Sequence, residues 1–90
     1  MKIINPATEE TIKEVQDDSR QTLEEKFQSL RSAQPAWQKT ALFERTEIIK
    51  NFSALLEENK EHLAFTLTSE VGKPLQQSRN EINGARARIK

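Results

Sequence analysis

The pattern of apolar and polar positions changes after residue 16. Residues 2–4 end in two β-branched side chains, and residues 10–16 alternate, with Ile12 and Val15 as their apolar members. Alternation with a period of two predicts strands. Between the two segments, Pro6 fixes its own φ and disfavours a helical conformation at the residue before it. We therefore predict a β-hairpin arm over residues 1–16, which needs a further element to pack on because an isolated hairpin is marginal in water.

A helical spacing begins at residue 17. The candidate N-terminal caps of the first helix are Asp17, Asp18 and Ser19. Its apolar stripe, at spacings of four and three, consists of Leu23, Phe27, Leu30 and Ala33. Proline lacks the amide hydrogen that a helix interior requires, so Pro35 is expected to end or kink this helix near residues 33–34. Trp37, just beyond it, is expected to fold back onto the stripe.

Three further helical segments are predicted up to the last residue. The first covers residues 41–58, and its apolar face comprises Leu42, Ile48, Ile49, Phe52, Leu55 and Leu56. Asn59 interrupts the pattern, which resumes over residues 61–71 and stops at Gly72, a residue that readily adopts the left-handed conformation after a helix. Pro74 suits the first turn of the last helix. That helix is expected to reach Lys90 without a stop signal, which is typical of a cut chain.

Composition and charge narrow the possible functions. The chain has 90 residues, of which 34% are hydrophobic and 31% charged, so it forms one domain at most and has few residues for a core. It contains no cysteine, which excludes a disulfide or a thiol nucleophile. The net charge is zero, so no overall field attracts nucleic acid or an anionic membrane. There is no long apolar run and no signal-peptide pattern, and we expect a cytoplasmic protein.

No single motif in the chain defines a catalytic site. Gly72-Lys73 could suggest a phosphate loop, but Leu67 occupies the required upstream glycine position and Pro74 the Ser/Thr position, so a helix stop is favoured. His62 has no neighbouring metal ligands and is expected on a solvated helix face. The acidic side chains Glu57, Glu58 and Glu61 are expected to be solvated as well. The basic cluster Arg79, Arg86, Arg88 and Lys90 lacks interleaved aromatic residues, so nucleic-acid binding is disfavoured.

The order of the segments is more specific than any one of them. Residues 4–10, INPATEE, resemble the N-P-A-T-G-E turn near the start of the NAD(P)-dependent aldehyde dehydrogenase superfamily. Residues 34–37, QPAW, resemble its F-P-A-W segment, and residues 44–58 resemble its E-R…L-L-E-E helix. Residues 61–75 are similar to E-E-L-A…L-E-T-G-K-P-L. Two positions depart from the pattern: Glu9 replaces the usual glycine, and Val71 the commoner threonine.

This resemblance implies a fold and an activity. The expected fold is mainly α with a short N-terminal β-hairpin, as the N-terminal piece of an α/β, Rossmann-like aldehyde dehydrogenase. Residues 17–90 would then be amphipathic helices flanking a cofactor-binding domain that these residues do not include. The parent enzyme would oxidise an aldehyde to a carboxylic acid with NAD or NADP, using a cysteine thiolate located beyond residue 90.

The same resemblance implies what the chain binds. No cofactor is expected on these 90 residues alone, and the isolated chain is expected to be inactive. The expected partners are the remainder of its own polypeptide and further subunits of a homo-oligomer, with an aldehyde substrate in the parent and neither nucleic acid nor membrane. The alternatives are a small helical protein-interaction module without enzymatic activity and, less favoured, a helical nucleic-acid binder.

Two candidate sites follow from the resemblance. In some members of the family a monovalent cation binds at positions that correspond here to the backbone carbonyls of Ile3 and Ile4 and to the carboxylate of Glu70. Oxygen ligands of this kind suit a hard cation. The alternative for Glu70 is a local role as a helix cap or ion-pair partner. Separately, Arg86 or Arg88 on the last helix could attract an anionic substrate near the entrance of the parent's active site.

Overall fold

The computed structural model describes residues 1–89, which form a two-stranded antiparallel hairpin followed by four helices. The strands are β1 (Lys2–Ile4) and β2 (Thr11–Glu14), with Ile3 opposite Lys13. The helices are α1 (Arg20–Lys39), α2 (Leu42–Glu58), α3 (Lys60–Val71) and α4 (Leu75–Arg88). The predicted fold, mainly α with a short N-terminal hairpin, is therefore confirmed.

The turn of the hairpin is held by its asparagine. The Asn5 Oδ1 atom accepts a hydrogen bond of 2.9 Å from the Ala7 amide, and the Asn5 amide donates to the Glu10 carbonyl at 2.9 Å. Glu9 has a φ of 62°, in the left-handed region that costs an L-residue about 1 kcal/mol or more. This is the position at which the resembling turn has glycine, and glycine adopts such a φ without strain.

Helix α1 begins at Ser19, one of the three predicted caps. The Thr22 amide donates to Ser19 Oγ at 3.1 Å, and the Ser19 amide donates to Thr22 Oγ1 at 2.8 Å. These two bonds satisfy amide groups that the first helical turn leaves without partners.

The prediction that Pro35 ends this helix was wrong, because α1 continues to Lys39. Pro35 removes one main-chain hydrogen bond, but the residue is exposed, so water can solvate the carbonyl that loses its partner. Beyond Pro35 the last turn closes regularly: the Thr40 amide donates to the carbonyls of Ala36 and Trp37 at 3.2 and 3.1 Å.

The expectation that Trp37 folds back onto the stripe was also wrong. Trp37 is part of α1 itself, and four residues after Ala33 it lengthens the stripe at helical spacing. Its side chain remains 42% exposed. The stripe therefore runs along almost the whole length of α1, and we call Leu23, Phe27, Leu30 and Trp37 the α1 stripe.

The boundaries of the other helices agree with the sequence pattern to within two residues. Asn59 separates α2 from α3, and Gly72 ends α3 with a φ of 76° and an amide bond to the Thr68 carbonyl. Pro74 lies at the N-cap of α4, one position before the predicted first turn. Helix α4 ends at Arg88, earlier than expected, while Lys90 lies outside the described residues.

The centre of packing is the crossing of α3 and α4. Ala64 in α3 and Ser78 in α4 are the only fully buried residues within positions 1–89. Thr68 Oγ1 and Ser78 Oγ lie 2.8 Å apart and share a hydrogen bond. Small side chains allow the two helix backbones to approach closely, and the hydroxyl pair satisfies polar atoms that would otherwise be buried without partners. Helix α4 also packs on α2, whereas α1 packs closely against no other helix.

The molecule is a thin slab. Its extents are 48 × 36 × 16 Å and its radius of gyration is 17.3 Å, against about 12 Å for a compact domain of this length. The accessible surface is 7539 Å², whereas a compact monomer of 10.4 kDa exposes about 5,400 Å². The chain thus exposes about 2,100 Å² more than its mass requires. The apolar face predicted for α2 is half exposed, with Leu42 at 71% and Phe52 at 51%.

Candidate functional site

The hairpin turn lies against the junction of α3 and α4. A Cβ atom placed on Gly72 would lie 2.8 Å from Cγ of Pro6, closer than carbon atoms tolerate. Gly72 therefore has two reasons to be glycine: its left-handed φ of 76° and the closeness of the proline ring. This contact brings the end of β1 and the end of α3 to the same part of the molecule.

The Gly72-Lys73 pair in this junction is not a phosphate loop. It follows a helix instead of a strand, and Gly72 is the C-cap of that helix. Helix carbonyls point toward this end, which favours cations over phosphate. Lys73 was expected to be a solvated linker residue, but its ammonium group forms an ion pair with Glu81 in α4. The described residues thus offer no nucleotide cradle here.

The three residues predicted to bind a monovalent cation lie on both sides of this junction. Ile3 and Ile4 are in β1, and Glu70 is in the last turn of α3, two residues before Gly72. Glu70 is exposed, and its carboxylate has no hydrogen-bond or ion-pair partner within residues 1–89, so the alternative of local pairing finds no support there. The strand pairing places Ile3 opposite Lys13 in the ladder. Cation binding at these three residues stays a prediction.

Glu57, Glu58 and Glu61 on α2 and α3 are exposed, as predicted, and two of them also form ion pairs with arginines of α4. Glu61 in α3 receives three hydrogen bonds from the guanidinium group of Arg79 in α4, at 2.8–3.2 Å. This contact holds the pKa of Glu61 below its ordinary range and the pKa of Arg79 above it. The pair is exposed to solvent, so it connects α3 to α4 with a modest contribution to stability and does not supply an acid or base.

Arg86 performs a similar role between α4 and α2. Its Nε donates to the carbonyl of Ser53 at 3.1 Å, and its Nη1 forms an ion pair with Glu57. Arg86 is thus engaged in joining two helices, whereas Arg88, in the last turn of α4, is exposed. Of the two arginines considered for an anionic substrate, only Arg88 has an exposed side chain.

Within residues 1–89, Arg45 carries the only buried side-chain nitrogen or oxygen atom that has no hydrogen-bond partner. Its Nε is shielded from solvent and has no acceptor within residues 1–89. It lies in an open cleft of about 280 Å³, lined by Trp37, Leu42, Arg45, Thr46, Ile49, Lys50 and Ile89. A shielded donor without an acceptor costs roughly 1–3 kcal/mol. The hydrophobic pattern gave no signal of this cleft, since it depends on how α2 lies beside Trp37 and Ile89.

The described residues contain no other chemical centre. His62 is exposed, as predicted, and positions 1–89 include no group of three or more acidic or histidine side chains that could hold a metal ion. In that same part of the chain, every helix is too short or too polar to span a bilayer.

The whole chain matches a protein-family model. Residues 1–90 align with the model of the Aldehyde dehydrogenase family. The chain belongs to this family.

Individual relatives agree with that assignment. The chain is 39% identical over 85 residues to an N-succinylglutamate 5-semialdehyde dehydrogenase of Burkholderia thailandensis, covering 94% of this chain and 18% of the relative. It is 38% identical over 80 residues to a malonate-semialdehyde dehydrogenase of Bacillus velezensis, covering 89% and 16%. Among solved structures, it resembles glyceraldehyde-3-phosphate dehydrogenase GapN from Methanocaldococcus jannaschii complexed with NADP. The TM-score is 0.95 at 29% identity, covering all of this chain and 20% of that one.

This aldehyde dehydrogenase family member is short compared with its relatives. It spans 16–18% of the length of the two curated relatives named above, and its match covers their N-terminal part. The structural match to GapN extends over every element, from β1 to α4. The arrangement of hairpin and helices is therefore that of the start of this fold.

Proposed function

We propose that this chain is the N-terminal structural segment of an NAD(P)-dependent aldehyde dehydrogenase that oxidises an aldehyde to a carboxylic acid. In that role the segment supplies packing surface and supplies no reacting group. The sequence has no cysteine to act as a nucleophile, and Gly72-Lys73 follows a helix, so the described residues do not fit a nucleotide phosphate. The nicotinamide cofactor and the nucleophile would both belong to the remainder of the parent polypeptide.

The observation on which this proposal depends is the uncovered surface. The slab is 16 Å thick in its shortest direction, and the α2 face with Leu42, Ile49 and Phe52 is about half exposed. A helix with one wide apolar face is normally packed against another layer. In the proposed parent, that layer is the cofactor-binding domain.

The coding sequence following residue 90 tests the proposal. For the Burkholderia relative, 85 residues represent 18% of the length, so that protein has about 470 residues. We expect roughly 400 further codons by the same proportion, with a cysteine nucleophile and glycine-rich strand–helix turns. A gene product that ends at residue 90 and still oxidises aldehydes would contradict the division of roles proposed here.

A complementation assay with purified or co-expressed protein tests whether the chain acts as a packing layer for the remainder of the parent. The 90-residue chain alone is expected to give no NAD(P)H from aldehydes, measured at 340 nm. Co-expression with the remainder of the parent is expected to restore turnover if the segment acts as a packing layer. A variant with charged side chains at Ile49 and Phe52 is expected to prevent this rescue. The control is Ser32→Glu, which adds a charge on the polar side of α1 and is expected to leave the rescue unchanged.

The cation site is part of this proposed function. The exposed Glu70 carboxylate in the last turn of α3, two residues before the glycine that lies against Pro6, supports binding of sodium or potassium. Titration with sodium chloride, against choline chloride at equal ionic strength, should raise the unfolding temperature of the full-length parent. In Glu70→Ala that increase should disappear. An unchanged response to sodium in this variant would exclude Glu70 as a ligand.

A further inference from the structure

Arg45 carries a charge that no carboxylate within residues 1–89 balances. It lies three residues after Leu42 and four residues before Ile49, a spacing that puts all three on one side of α2. None of the ion pairs in that part of the chain includes Arg45, and its Nε is shielded from solvent without an acceptor. Shielded donors in proteins are normally paired, so we expect an acceptor from outside the described residues.

The cleft around Arg45 suits a carboxylate. Its lining includes two cationic side chains, Arg45 and Lys50, and no acidic one. The Lys50 ammonium group is already paired with Glu47 at 2.9 Å, and its side chain is 63% exposed, so Arg45 is the cation that remains available. Trp37 and Ile89 supply apolar walls. A guanidinium group binds a carboxylate more strongly between such walls than in water, because electrostatic attraction increases where solvent is excluded.

The position of the cleft indicates where the carboxylate comes from. The cleft lies on the uncovered face of α2, where Leu42 is 71% and Ile49 46% exposed. A free small molecule would be held by this open cleft alone, whereas ligand sites usually enclose most of their ligand. A side chain carried by a layer that packs on α2 needs no such enclosure, because the apolar contacts around it hold it in place and exclude water.

We propose that Arg45 pairs with the carboxylate of an aspartate or glutamate on the layer that packs against α2. The ion pair would fix the position of this segment within an apolar contact that has little directional preference of its own. Arg45 is therefore a positioning residue and takes no part in the chemistry. This inference rests on the proposed function, which supplies that layer as the remainder of the parent.

Arg45→Met should have opposite effects in the 90-residue chain and in the full-length parent. In the 90-residue chain it should raise the unfolding midpoint by about 5 °C, because it removes a shielded donor without an acceptor. In the parent it should lower the midpoint by about 5 °C or more, because the buried carboxylate loses its counter-ion. Thermal unfolding followed by circular dichroism, at equal protein concentrations, measures both shifts.

Two further variants serve as controls for this comparison. Lys50→Met removes a cation from the same cleft, but one that is exposed and already paired, so it should change the midpoint of the parent by about 2 °C or less. Arg45→Lys keeps the charge but changes the geometry of its donors, and it should recover part of the midpoint that Arg45→Met loses in the parent. Equal falls for Arg45→Met and Lys50→Met would contradict a specific pair at Arg45.

A double-mutant cycle identifies the partner. The acidic residues of the remainder are neutralised one at a time, Asp→Asn or Glu→Gln, with and without Arg45→Met. For one of them, adding Arg45→Met should lower the midpoint less than it does in the natural parent, since the pair is already broken. If no acidic residue shows this coupling, the acceptor is not a carboxylate and the proposal is wrong.

The remaining outcomes separate this inference from the proposed function. If Arg45→Met leaves the midpoint of the parent unchanged or raises it, the ion pair is refuted and the proposed parent enzyme is unaffected. A fall of the midpoint in the 90-residue chain would reveal an acceptor inside that chain and would also overturn the inference. A coding sequence that ends at residue 90 would refute the proposed function itself, and the partner of Arg45 with it.

Discussion

The contact between Pro6 and Gly72 is the point at which the hairpin meets the helices, and replacing Gly72 by alanine tests it directly. The substitution adds a single methyl group. It does so at a φ of 76°, where an L-residue is strained, and at a place where the new Cβ would lie 2.8 Å from Cγ of Pro6. The strained φ and the overlap with Pro6 both destabilise the folded chain. The two effects can be separated experimentally, because only the overlap involves the proline.

The magnitude follows from these two parts. The left-handed conformation costs alanine roughly 1–2 kcal/mol relative to glycine. The overlap with the proline ring forces the hairpin to move by several tenths of an ångström, which adds about 1 kcal/mol by comparison with overpacking elsewhere. Together they predict a loss of about 2–3 kcal/mol. For a domain of this size that loss lowers the unfolding midpoint by roughly 10 °C or more.

The assay is urea and thermal unfolding followed by circular dichroism at a fixed protein concentration. Gly84→Ala is the matched control, because Gly84 lies inside α4 and nothing is within 4 Å of its added Cβ. Alanine favours a helix interior over glycine, so this variant should be more stable by about 0.5–1 kcal/mol. The same chemical change is thus expected to have opposite signs at the two glycines.

A double-mutant cycle with Pro6→Ala isolates the contact between the hairpin and the helices. In the Pro6→Ala background, Gly72→Ala should lose about 1 kcal/mol less than in the natural chain, since the ring is absent. An equal loss in both backgrounds would show that the hairpin does not pack on Gly72. No loss in either background would refute the left-handed conformation itself.

Three further predictions concern single side chains. Glu9→Gly should raise stability in urea unfolding by up to about 1 kcal/mol, because it relieves the left-handed strain at Glu9; a decrease would contradict that strain. Arg45→Met should stabilise the chain by about 1 kcal/mol, because it removes a shielded donor without an acceptor; a loss in the same assay would reveal an acceptor. Because the pKa of Glu61 is lowered in the folded chain, its pair with Arg79 stabilises above the ordinary glutamate value of 4.5 and is lost as pH falls through the lowered value. Thermal midpoints between pH 7 and 3 should therefore fall less in Glu61→Gln, and an identical fall would show that the pair has no effect on stability.

Local signals in the sequence were sufficient for most of the secondary structure. The hairpin, the break at Asn59 and the stop at Gly72 depend on conformations that single residues favour or forbid, and these are readable from residue type. Pro35 misled the same reasoning, because a proline at an exposed position removes a hydrogen bond without ending the helix. A helix tolerates an interior proline when water can solvate the carbonyl that loses its hydrogen bond. The sequence does not show whether that carbonyl is exposed.

The contacts between helices could not be predicted from the sequence. Arg79 lies 18 residues from Glu61, and Arg86 lies 29 residues from Glu57. Helical periodicity indicates which face of a helix is apolar, but it contains no crossing angle or register between helices. The hydroxyl pair of Thr68 and Ser78 was missed for the same reason, because burial of a serine is decided by what crosses over it. The likeness to the aldehyde dehydrogenase family was recognisable because it depends on the order of short segments.

The isolation of α1 has a consequence for the internal motions of the molecule. Opening a helix that touches little else breaks few tertiary contacts, so the amide hydrogens of residues 20–39 should exchange with deuterium almost as quickly as those of a free peptide helix. The amides around Ala64 and Ser78 should exchange only when α3 and α4 separate. The chain would then contain one slowly exchanging unit and one rapidly exchanging unit.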